Sequence, residues 1–351
     1  MAVKVMTKDF KEILKVANAF RANNALLPLT TMYQISVDMG TLELRACGTA
    51  SEVACTCSVK ENDKFSVVIE AGVFTSIINK QDCEFLIFEV DNCFKVKGNG
   101  NYKFDIVCDD EGDINFPPFD FVDCEGSTPV DMGEFEYARA NTGSAIETKP
   151  GILNNYSISE GTTIATDNCF ISRAYNEIPF DIVLPKETMD SLCSLTGKAN
   201  AVKQGNKLYL DLYKYKVICD EADGAEMYPL EQIKAFLDNV HTVTTFEVDR
   251  NELVSLLSRV TLFTQDFDHN AITVTGKGTT LSIESKTKSG VETMAIFASS
   301  EEDFTILVDA KQLMKMLSGF NNKIVTMVVY EGAVGVDTED ATAILALLET
   351  E

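Results

Sequence analysis

The sequence predicts an α+β protein built from six similar repeats, and two observations lead to this prediction. First, an apolar residue at a position x is followed by apolar residues at x+5 and x+8, and this pattern occurs six times along the 351 residues. A change of period from 2 to 3.6 at a fixed offset is typical of a strand that leads into a helix. Second, a tight-turn signal follows every copy of the pattern. Each repeat is therefore predicted to contain a strand, a helix and two or three antiparallel strands.

The helical part of each repeat is predicted from the same spacing. In the first copy, Val5 is followed by Phe10 and Ile13, and apolar residues continue at three and four positions. This spacing places them on one face of an amphipathic helix. The six predicted helical windows are 8–21, 72–85, 133–146, 187–200, 251–264 and 311–324.

Glycine and asparagine mark the hairpins, because both accept the positive φ that tight turns require. In the odd-numbered repeats a glycine falls about half-way to the next copy, at Gly40, Gly161 and Gly278. In the even-numbered repeats the turns come earlier, at 91–92, 205–206 and 331–332. Because odd and even repeats differ consistently, a pair of repeats is predicted to form one domain.

Three pairs of repeats give three domains of a size that supports independent hydrophobic cores. The stretch from Phe116 to Ser127 closes the first domain, and the stretch from Tyr228 to Thr242 closes the second. The predicted domains are 1–126, 127–241 and 242–351.

Composition indicates a cytoplasmic protein. The ten cysteines show no CxxC pair and no regular spacing, and reduced cysteines without a disulfide framework are typical of the cytosol. A metal site at Cys55 and Cys57 is not favoured, because no nearby histidine or second cysteine pair completes a ligand shell. No apolar run approaches the length of a membrane span, and the first strand begins near Met1. We therefore expect neither a membrane segment nor a signal peptide.

The net charge of −24 is distributed unevenly. The six helical windows together carry +2, whereas the rest of the chain carries −26. An acidic exterior keeps a protein soluble and repels stray nucleic acid, while a basic face can still hold a phosphate backbone. The helices are thus predicted to form one electrostatic surface and the strands and loops another.

Two of the helices are predicted to be basic. Lys8, Lys11 and Lys15 recur at three and four positions, so they share one face of the first helix. Lys311 and Lys315 share a face of the sixth helix in the same way. For either helix alone, a solvated polar face is the simpler interpretation. Their positions, first and last in a repeating set, weaken that interpretation and favour a shared surface.

No catalytic motif stands out. The two histidines, His241 and His269, lie in predicted loops, where a solvated role is the expected one. The densest acidic cluster runs from Asp109 to Asp113 and suggests a metal-dependent nuclease site. Such sites need carboxylates that converge from several strands, which a consecutive run does not supply. We therefore expect no enzyme activity, no metal and no cofactor.

Four segments resemble the bacterial DNA polymerase III β subunit, which is the β sliding clamp and DNA polymerase processivity factor. Residues 27–29 and 37–44 are similar to the family's LPIL segment and DGTL hairpin, and residues 113–117 are similar to its acidic-to-FP closure. Residues 164–167 are similar to the start of its VATDGHR segment, and residues 246–260 to the opening of its third domain. In order and spacing, these segments extend the resemblance over the whole chain.

The chain also departs from this family. Asn168, Cys169 and Phe170 stand where the family usually has Gly-His-Arg, and residues 346–351 differ from its Met-Pro-Met-Arg-Leu tail. These departures indicate a divergent member, of the kind that a phage could encode.

The resemblance implies three similar sliding-clamp (DNA clamp) domains that form half of a closed ring. Two chains would close head to tail as a homodimer, with the helices lining the hole. The ring would encircle double-stranded DNA without reading its sequence. After loading by a clamp loader it would tether the replicative DNA polymerase. Two alternatives stay open: a repeat-built interaction scaffold that does not bind DNA, and a metal-dependent nucleic-acid enzyme whose site the pattern does not reveal.

Candidate site residues follow from the basic helices and from the resemblance. Phosphate contacts are expected at Lys8, Lys11, Lys15, Arg139, Arg259, Lys311 and Lys315. A cleft for an apolar peptide of the polymerase or loader is expected at Thr166, Asn168, Phe170, Ile171, Pro229, Ile344, Leu345, Ala346, Leu347 and Leu348. Ring closure is expected to bring Phe104 of one subunit near Leu262 and Phe263 of the other. The alternative interpretation of residues 344–348 is that they form a last core strand. The alternative interpretation of the three closure residues is ordinary core packing.

Overall fold

The computed structural model describes residues 2–22, 26–60, 63–108, 116–124, 126–266, 269–285, 290–295, 298–299 and 303–349. Within these residues the six predicted repeats are confirmed, because each contains a strand, a helix and at least three further strands. The α+β fold class is therefore also confirmed.

The first two repeats contain β1 (Ala2–Met6), α1 (Thr7–Phe20), β2 (Met32–Asp38), β3 (Thr41–Cys47), β4 (Ser51–Ser58), β5 (Phe65–Glu70), α2 (Ala71–Asn79), β6 (Phe85–Val90), β7 (Phe94–Lys97) and β8 (Asn101–Phe104). The next two contain β9 (Thr128–Asp131), α3 (Met132–Thr142), β10 (Asn155–Ser159), β11 (Thr162–Thr166), β12 (Phe170–Tyr175), β13 (Ile182–Pro185), α4 (Lys186–Leu192), β14 (Lys198–Gln204), β15 (Lys207–Asp211) and β16 (Tyr215–Asp220). They are followed by a helix outside the repeats, α5 (Leu230–Asn239).

The last two repeats contain β17 (Thr242–Asp249), α6 (Arg250–Val260), β18 (Ala271–Lys277), β19 (Thr280–Ser285), β20 (Val291–Ala295), β21 (Ala298–Ser299), β22 (Phe304–Asp309), α7 (Ala310–Ser318), β23 (Ile324–Tyr330), β24 (Ala333–Asp337) and β25 (Ala341–Ala346). Short 3-10 turns occur at Pro28–Thr31, Gly143–Ala145, Ala225–Met227 and Thr261–Phe263.

Each repeat helix begins one residue before its predicted window and ends before the window does. Side-chain caps explain where two of the helices, α6 and α7, begin. Asp249 Oδ1 accepts hydrogen bonds from the backbone N–H groups of Asn251 and Glu252, at 2.9 and 3.1 Å. Asp309 caps α7 in the same way. Such caps satisfy donors that a helix leaves unpaired in its first turn.

The hairpin turns lie where the sequence predicts them. Met39 and Gly40 have φ values of +47° and +77°, and Glu160 and Gly161 have +50° and +72°. Two consecutive positive φ values are typical of the turn type that matches the twist of adjacent strands. The first and third repeats thus use a non-glycine residue at the first of the two positions, whereas in the fifth repeat Gly278 has a positive φ, +55°, and Lys277 does not.

Paired repeats exchange their first strands. One sheet has the order β1-β6-β7-β8, so the first strand of repeat one joins the strands of repeat two. A second four-stranded sheet has the order β20-β19-β18-β22 and combines repeats five and six in the same manner. This exchange joins the two repeats of a pair into one hydrogen-bonded structure, as the predicted pairing of repeats requires.

Two longer sheets continue across the predicted domain boundaries. An eight-stranded sheet has the order β5-β2-β3-β4-β16-β15-β14-β9, in which Cys55 pairs with Tyr215. A nine-stranded sheet has the order β13-β10-β11-β12-β25-β24-β23-β17-β21, in which Phe170 pairs with Leu345. The chain divides into two compact units, Met1–Phe135 with Leu184–Ala222, and Glu136–Val183 with Asp223–Glu351. The three domains divided near 126 and 241 stay a prediction.

The core of the first compact unit contains a cluster of phenylalanines between its helices and the first sheet. Phe10 packs edge-on against Phe74 and Phe88, with ring centroids 6.0 and 4.9 Å apart. All three rings are fully buried. Because α1 and α2 each contribute a ring, the cluster fixes these two helices against the same sheet.

The helix α5 is the described helix that the repeat pattern does not predict. The pattern treats 228–242 as a boundary because Tyr228 and Pro229 interrupt it. Leu230, Ile233 and Leu237 nevertheless recur at helical spacing, and Ile233 is buried. Pro229 directly precedes the first turn, where its missing N–H costs no helical hydrogen bond.

Candidate nucleic-acid and partner interfaces

The basic face of α1 contains lysines in two different environments. Lys8 and Lys15 are exposed, and neither forms an ion pair with the described residues. Lys11 is half-buried, and its Nζ donates to the backbone carbonyls of Asn79 and Gln81 at 3.0 and 2.6 Å. These carbonyls lie at the C-terminal end of α2, where a positive charge is favourable. Lys11 therefore helps to hold two helices together within the first compact unit.

An acidic residue lies between the two exposed lysines on α1. The Oε1 of Glu12 accepts from Lys214 Nζ at 3.1 Å and from the Tyr215 hydroxyl at 3.2 Å. The hydrogen bond from Lys214 lowers the pKa of Glu12, and burial raises the pKa of Tyr215. Because Glu12 is already paired, it opposes an approaching phosphate less than a free carboxylate would.

The basic residues of α7 are paired with carboxylates inside the second compact unit. Lys311 Nζ lies 2.6 Å from Asp266 Oδ1, and this contact lowers the pKa of Asp266. Lys315 Nζ lies 3.4 Å from Asp167 Oδ2 and 5.9 Å from the centroid of the Phe170 ring. The α7 lysines are thus ion-paired, whereas Lys8 and Lys15 form no ion pair with the described residues, although all four lie on repeat helices.

The remaining predicted phosphate contacts are the two arginines. Arg259 is in the last turn of α6, and its guanidinium donates to both carboxylate oxygens of Glu292, at 2.8 and 3.2 Å. This contact lowers the pKa of Glu292 and raises that of Arg259. Arg139 is half-buried in the last turn of α3. No described contact tests whether any of these residues binds phosphate.

The predicted cleft residues lie on adjacent strands, because β12 pairs with β25. Ile171 is the partner of Ile344 and lies on one face of the nine-stranded sheet, while Phe170 and Leu345 lie on the other. Phe170 and Leu345 are buried, and Phe170 lies on the side of α7. Only the Ile171 face can contribute to an open groove. The resemblance predicts that these residues come together, but it does not predict which face of the sheet each of them occupies.

A turn before β12 carries two other predicted cleft residues. Thr166 is buried, and Asn168 is exposed with a φ of +74°. Asp167 Oδ1 accepts from the backbone N–H groups of Cys169 and Phe170, at 3.1 and 2.8 Å, and this fixes the turn. Asparagine tolerates this left-handed conformation better than most residues, which explains why it can replace the glycine of the resembling family here.

The C-terminal segment continues from β25 with backbone hydrogen bonds. Ala346 is exposed and its N–H donates to the carbonyl of Cys169 at 2.8 Å. Leu347 and Leu348 are half-buried and donate to Gly332 and Leu307, each at 2.9 Å. Residues 344–345 are therefore core strand residues, and the three that follow are more accessible.

A groove lies on the Ile171 face of the sheet, next to α5. It has a volume of about 370 Å³. Leu237 and Val240 of the α5 segment pack against the buried residues Tyr330 and Ile344. Pro229, which precedes α5, is half-buried. Of the predicted cleft residues, Ile344 is among the described residues that line this groove, and the other nine are not. The lining residues that the sequence pattern misses are Arg173, Tyr175, Leu237, Val240, Thr242, Tyr330, Asp337, Thr338, Glu339 and Thr342. The two-residue spacing from Ile171 to Arg173 and Tyr175 was the available signal, since it places all three on one face.

The predicted closure residues differ in exposure. Phe104 ends β8, an edge strand of its sheet, and is half-buried. Leu262 is 82% exposed and Phe263 49% exposed, in the 3-10 turn after α6. The Phe263 ring lies over Gly290, where an added Cβ would approach the ring to 2.5 Å. Gly290 directly precedes β20, which is also an edge strand of its sheet.

Possible metal ligands do not cluster in the described part of the chain. No three of its His, Cys, Asp or Glu side chains are grouped so that they could hold a metal ion. The acidic run from Asp109 to Asp113 lies outside the described residues. His241 and His269 are both exposed. No helix among the described residues is both long and apolar enough to cross a membrane.

Comparison with known proteins identifies the fold. No protein-family profile matches the chain, and no curated protein matches it in sequence. Solved structures do match over 100% of this chain and 100% of theirs. The DNA polymerase III beta subunit of Thermotoga maritima has 15% identity and a TM-score of 0.86. The sliding clamp (DNA polymerase III subunit beta) of Pseudomonas aeruginosa has 13% and 0.86, and the DNA polymerase sliding clamp of Bacillus subtilis has 14% and 0.83. The predicted resemblance to a divergent sliding clamp is confirmed at the level of the fold.

Proposed function

We propose that this chain, which has the sliding-clamp fold, is a clamp that encircles duplex DNA and tethers a replicative DNA polymerase. The full-length likeness to three sliding clamps, at TM-scores of 0.83 to 0.86, is the observation that carries the proposal. Because a fold alone does not imply a function, the proposal also depends on the basic helices, the edge strands and the groove. In this role the chain acts by topology and is not an enzyme, and it works on DNA in the cytoplasm of a cell or of a phage's host.

The helices supply the proposed DNA face. Lys8 and Lys15 are exposed on α1. Lys311 and Lys315 lie on α7, and Lys311 occupies the position in its repeat that Lys8 occupies in the first. Lysine contacts with phosphate position a protein without reading base sequence. A few such contacts give weak, salt-sensitive binding, which suits a ring that must slide.

The edge strands supply the proposed ring closure. An exposed edge presents unpaired N–H and C=O groups and is a site for pairing with another chain. Pairing of β8 of one chain with β20 of a second would cover both edges and bury Leu262 and Phe263. A head-to-tail contact of this kind produces a closed ring when its rotation closes. We therefore propose a homodimer.

The groove beside α5 supplies the proposed partner site. Its lining is mostly polar and includes Arg173, Asp337 and Glu339, beside the apolar side chains of Leu237 and Ile344. It therefore suits a short segment of the polymerase or of the clamp loader that carries polar groups around an apolar anchor. One preformed groove can serve several partners in turn.

Retention on circular DNA tests the proposal. The protein is loaded on a nicked circular plasmid with the loader and ATP from the same source, and then passed through a gel-filtration column at high salt. We expect the protein to stay on the circle and to leave when a restriction enzyme linearises it. Equal retention on circular and linear DNA would contradict a topological link. A monomer that is never retained would favour the interaction scaffold, and chelator-sensitive DNA cleavage would favour the enzyme.

A further inference from the structure

Three of the predicted phosphate contacts in the second compact unit are paired with carboxylates, whereas the exposed lysines of α1 are not. Lys311 pairs with Asp266, Lys315 pairs with Asp167, and Arg259 pairs with Glu292. Lys8 and Lys15 on α1 have no ion pair within the described part of the chain. Phosphate that approaches α7 must therefore compete with a carboxylate that is ion-paired to each lysine. Phosphate that approaches α1 meets two lysines whose acidic neighbour, Glu12, is hydrogen-bonded to Lys214 and acts on Lys8 only at longer range.

The two carboxylates that pair with the α7 lysines differ in how firmly they are held. The side chain of Asp266 is 84% exposed, and besides Lys311 it accepts from Asn270 Nδ2 at 3.2 Å. The side chain of Asp167 is 11% exposed, and its second oxygen fixes the turn before β12. Asp266 can therefore turn away at little cost. Asp167 cannot leave Lys315 without giving up the turn.

We infer that Asp266 and Asp167 are positioning residues that weaken the phosphate contacts of Lys311 and Lys315, so that α7 holds DNA more loosely than α1 does. The inference rests on the proposed function, because it concerns the same DNA face. The affinity of a protein for DNA falls with salt in proportion to the number of phosphates that it neutralises. A lysine already neutralised by its own carboxylate contributes less to that number. Removing the carboxylate should restore its full contribution.

The experiment uses a salt titration of duplex binding. Fluorescence anisotropy of a labelled duplex is measured with the full-length protein from about 50 to 200 mM NaCl. For Asp266→Asn we expect binding about 2- to 5-fold tighter at the lowest salt, and a slope of log K against log salt that is steeper by up to about 0.9, which corresponds to one more phosphate contact. The matched control is Glu331→Gln, an exposed residue in the turn between β23 and β24 that changes the net charge equally.

A double variant separates a local effect from a general change in charge. In Asp266→Asn combined with Lys311→Met, the gain in affinity and slope should disappear, because the restored cation is no longer present. Asp167→Asn keeps an oxygen for the turn and removes the carboxylate, so it should produce a similar gain that depends on Lys315. The inference is overturned if Asp266→Asn behaves like Glu331→Gln, or if its gain survives Lys311→Met. If neither the wild type nor Asp266→Asn binds the duplex at the lowest salt, the inference is overturned, whereas the proposed function is decided separately by retention on circular DNA.

Discussion

Phe104 packs edge-on against Phe74 of α2, with ring centroids 5.3 Å apart and planes at 76°. The last residue of an edge strand is thus part of the aromatic cluster that fixes α2. A substitution of Phe104 would disturb both the free edge and the core. Leu262 and Phe263 lack this double role, since both are substantially exposed, and they are the better positions at which to test ring closure.

The double variant Leu262→Glu with Phe263→Glu should give a folded monomer. Charges at both positions cannot be buried at a subunit contact without a large desolvation cost. Light scattering should report a mass near 38.6 kDa for the variant and twice that for the wild type. Met227→Glu, at a residue that is 68% exposed and outside the proposed contact, serves as the control and should stay dimeric. A dimeric double variant would remove these residues from the interface.

Lys11→Met should lower stability, whereas Lys8→Met should not. Lys11 loses its hydrogen bonds to Asn79 and Gln81, and we expect a decrease in the free energy of unfolding of about 1 kcal/mol. Lys8 makes no such bond, so its substitution should affect DNA binding and leave urea unfolding unchanged. Equal unfolding midpoints for the two variants would show that Lys11 does not stabilise the end of α2.

Ile171→Glu should weaken the binding of a polymerase by at least about tenfold. The residue lies on the groove face next to Ile344, and a carboxylate there would be desolvated by an apolar peptide. Surface plasmon resonance against the cognate polymerase measures the effect. Tyr213→Glu, at a residue that is 94% exposed in the first compact unit, is the control. Unchanged affinity of the Ile171 variant would place the partner site elsewhere.

Glu52 should give a distinctive pH dependence of stability. Burial raises its pKa above the ordinary value of 4.5, although Arg45, 3.5 Å away, opposes the shift. A raised carboxyl pKa means that the folded state binds more protons than the unfolded state, so stability falls as pH rises from 4.5 through the folded pKa. The free energy of unfolding of Glu52→Gln minus that of the wild type should therefore increase with pH across that window. Above the window this difference should stay constant. Urea titrations at several pH values measure this, and a difference that shrinks with rising pH would contradict the assigned direction.

The sequence predicts the repeats, the hairpins and the starts of the helices because these depend on residues close to each other in the chain. The helix ends are predicted less well. The window 187–200 extends eight residues beyond Leu192, since apolar spacing alone does not reveal where the next strand begins. The helix α5 is missed because Pro229 is interpreted as a boundary, although it equally permits a helix start.

The environment of the candidate site residues depends on contacts that no local pattern contains. Lys315 meets Asp167 across 148 positions of sequence, and Lys311 meets Asp266 across 45. A lysine stripe therefore predicts which residues face outward but not which are already neutralised. Likewise, the resemblance predicts that residues 166–171 and 344–348 come together, while the pairing of Ile171 with Ile344 decides which of them face the groove.

The junction of β4 with β16 has a consequence for synthesis. The hydroxyl of Thr56 donates to the carbonyl of Lys214, a residue 158 positions later in the chain. At about 5–20 residues per second, a ribosome needs about 10–30 s to make that stretch. During this time β4 of the nascent chain has no partner on its outer edge, and the eight-stranded sheet stays incomplete. A chaperone that shields the emerging strand would protect the chain at this stage, and ribosome stalling before residue 214 would be the condition under which the protein most readily aggregates.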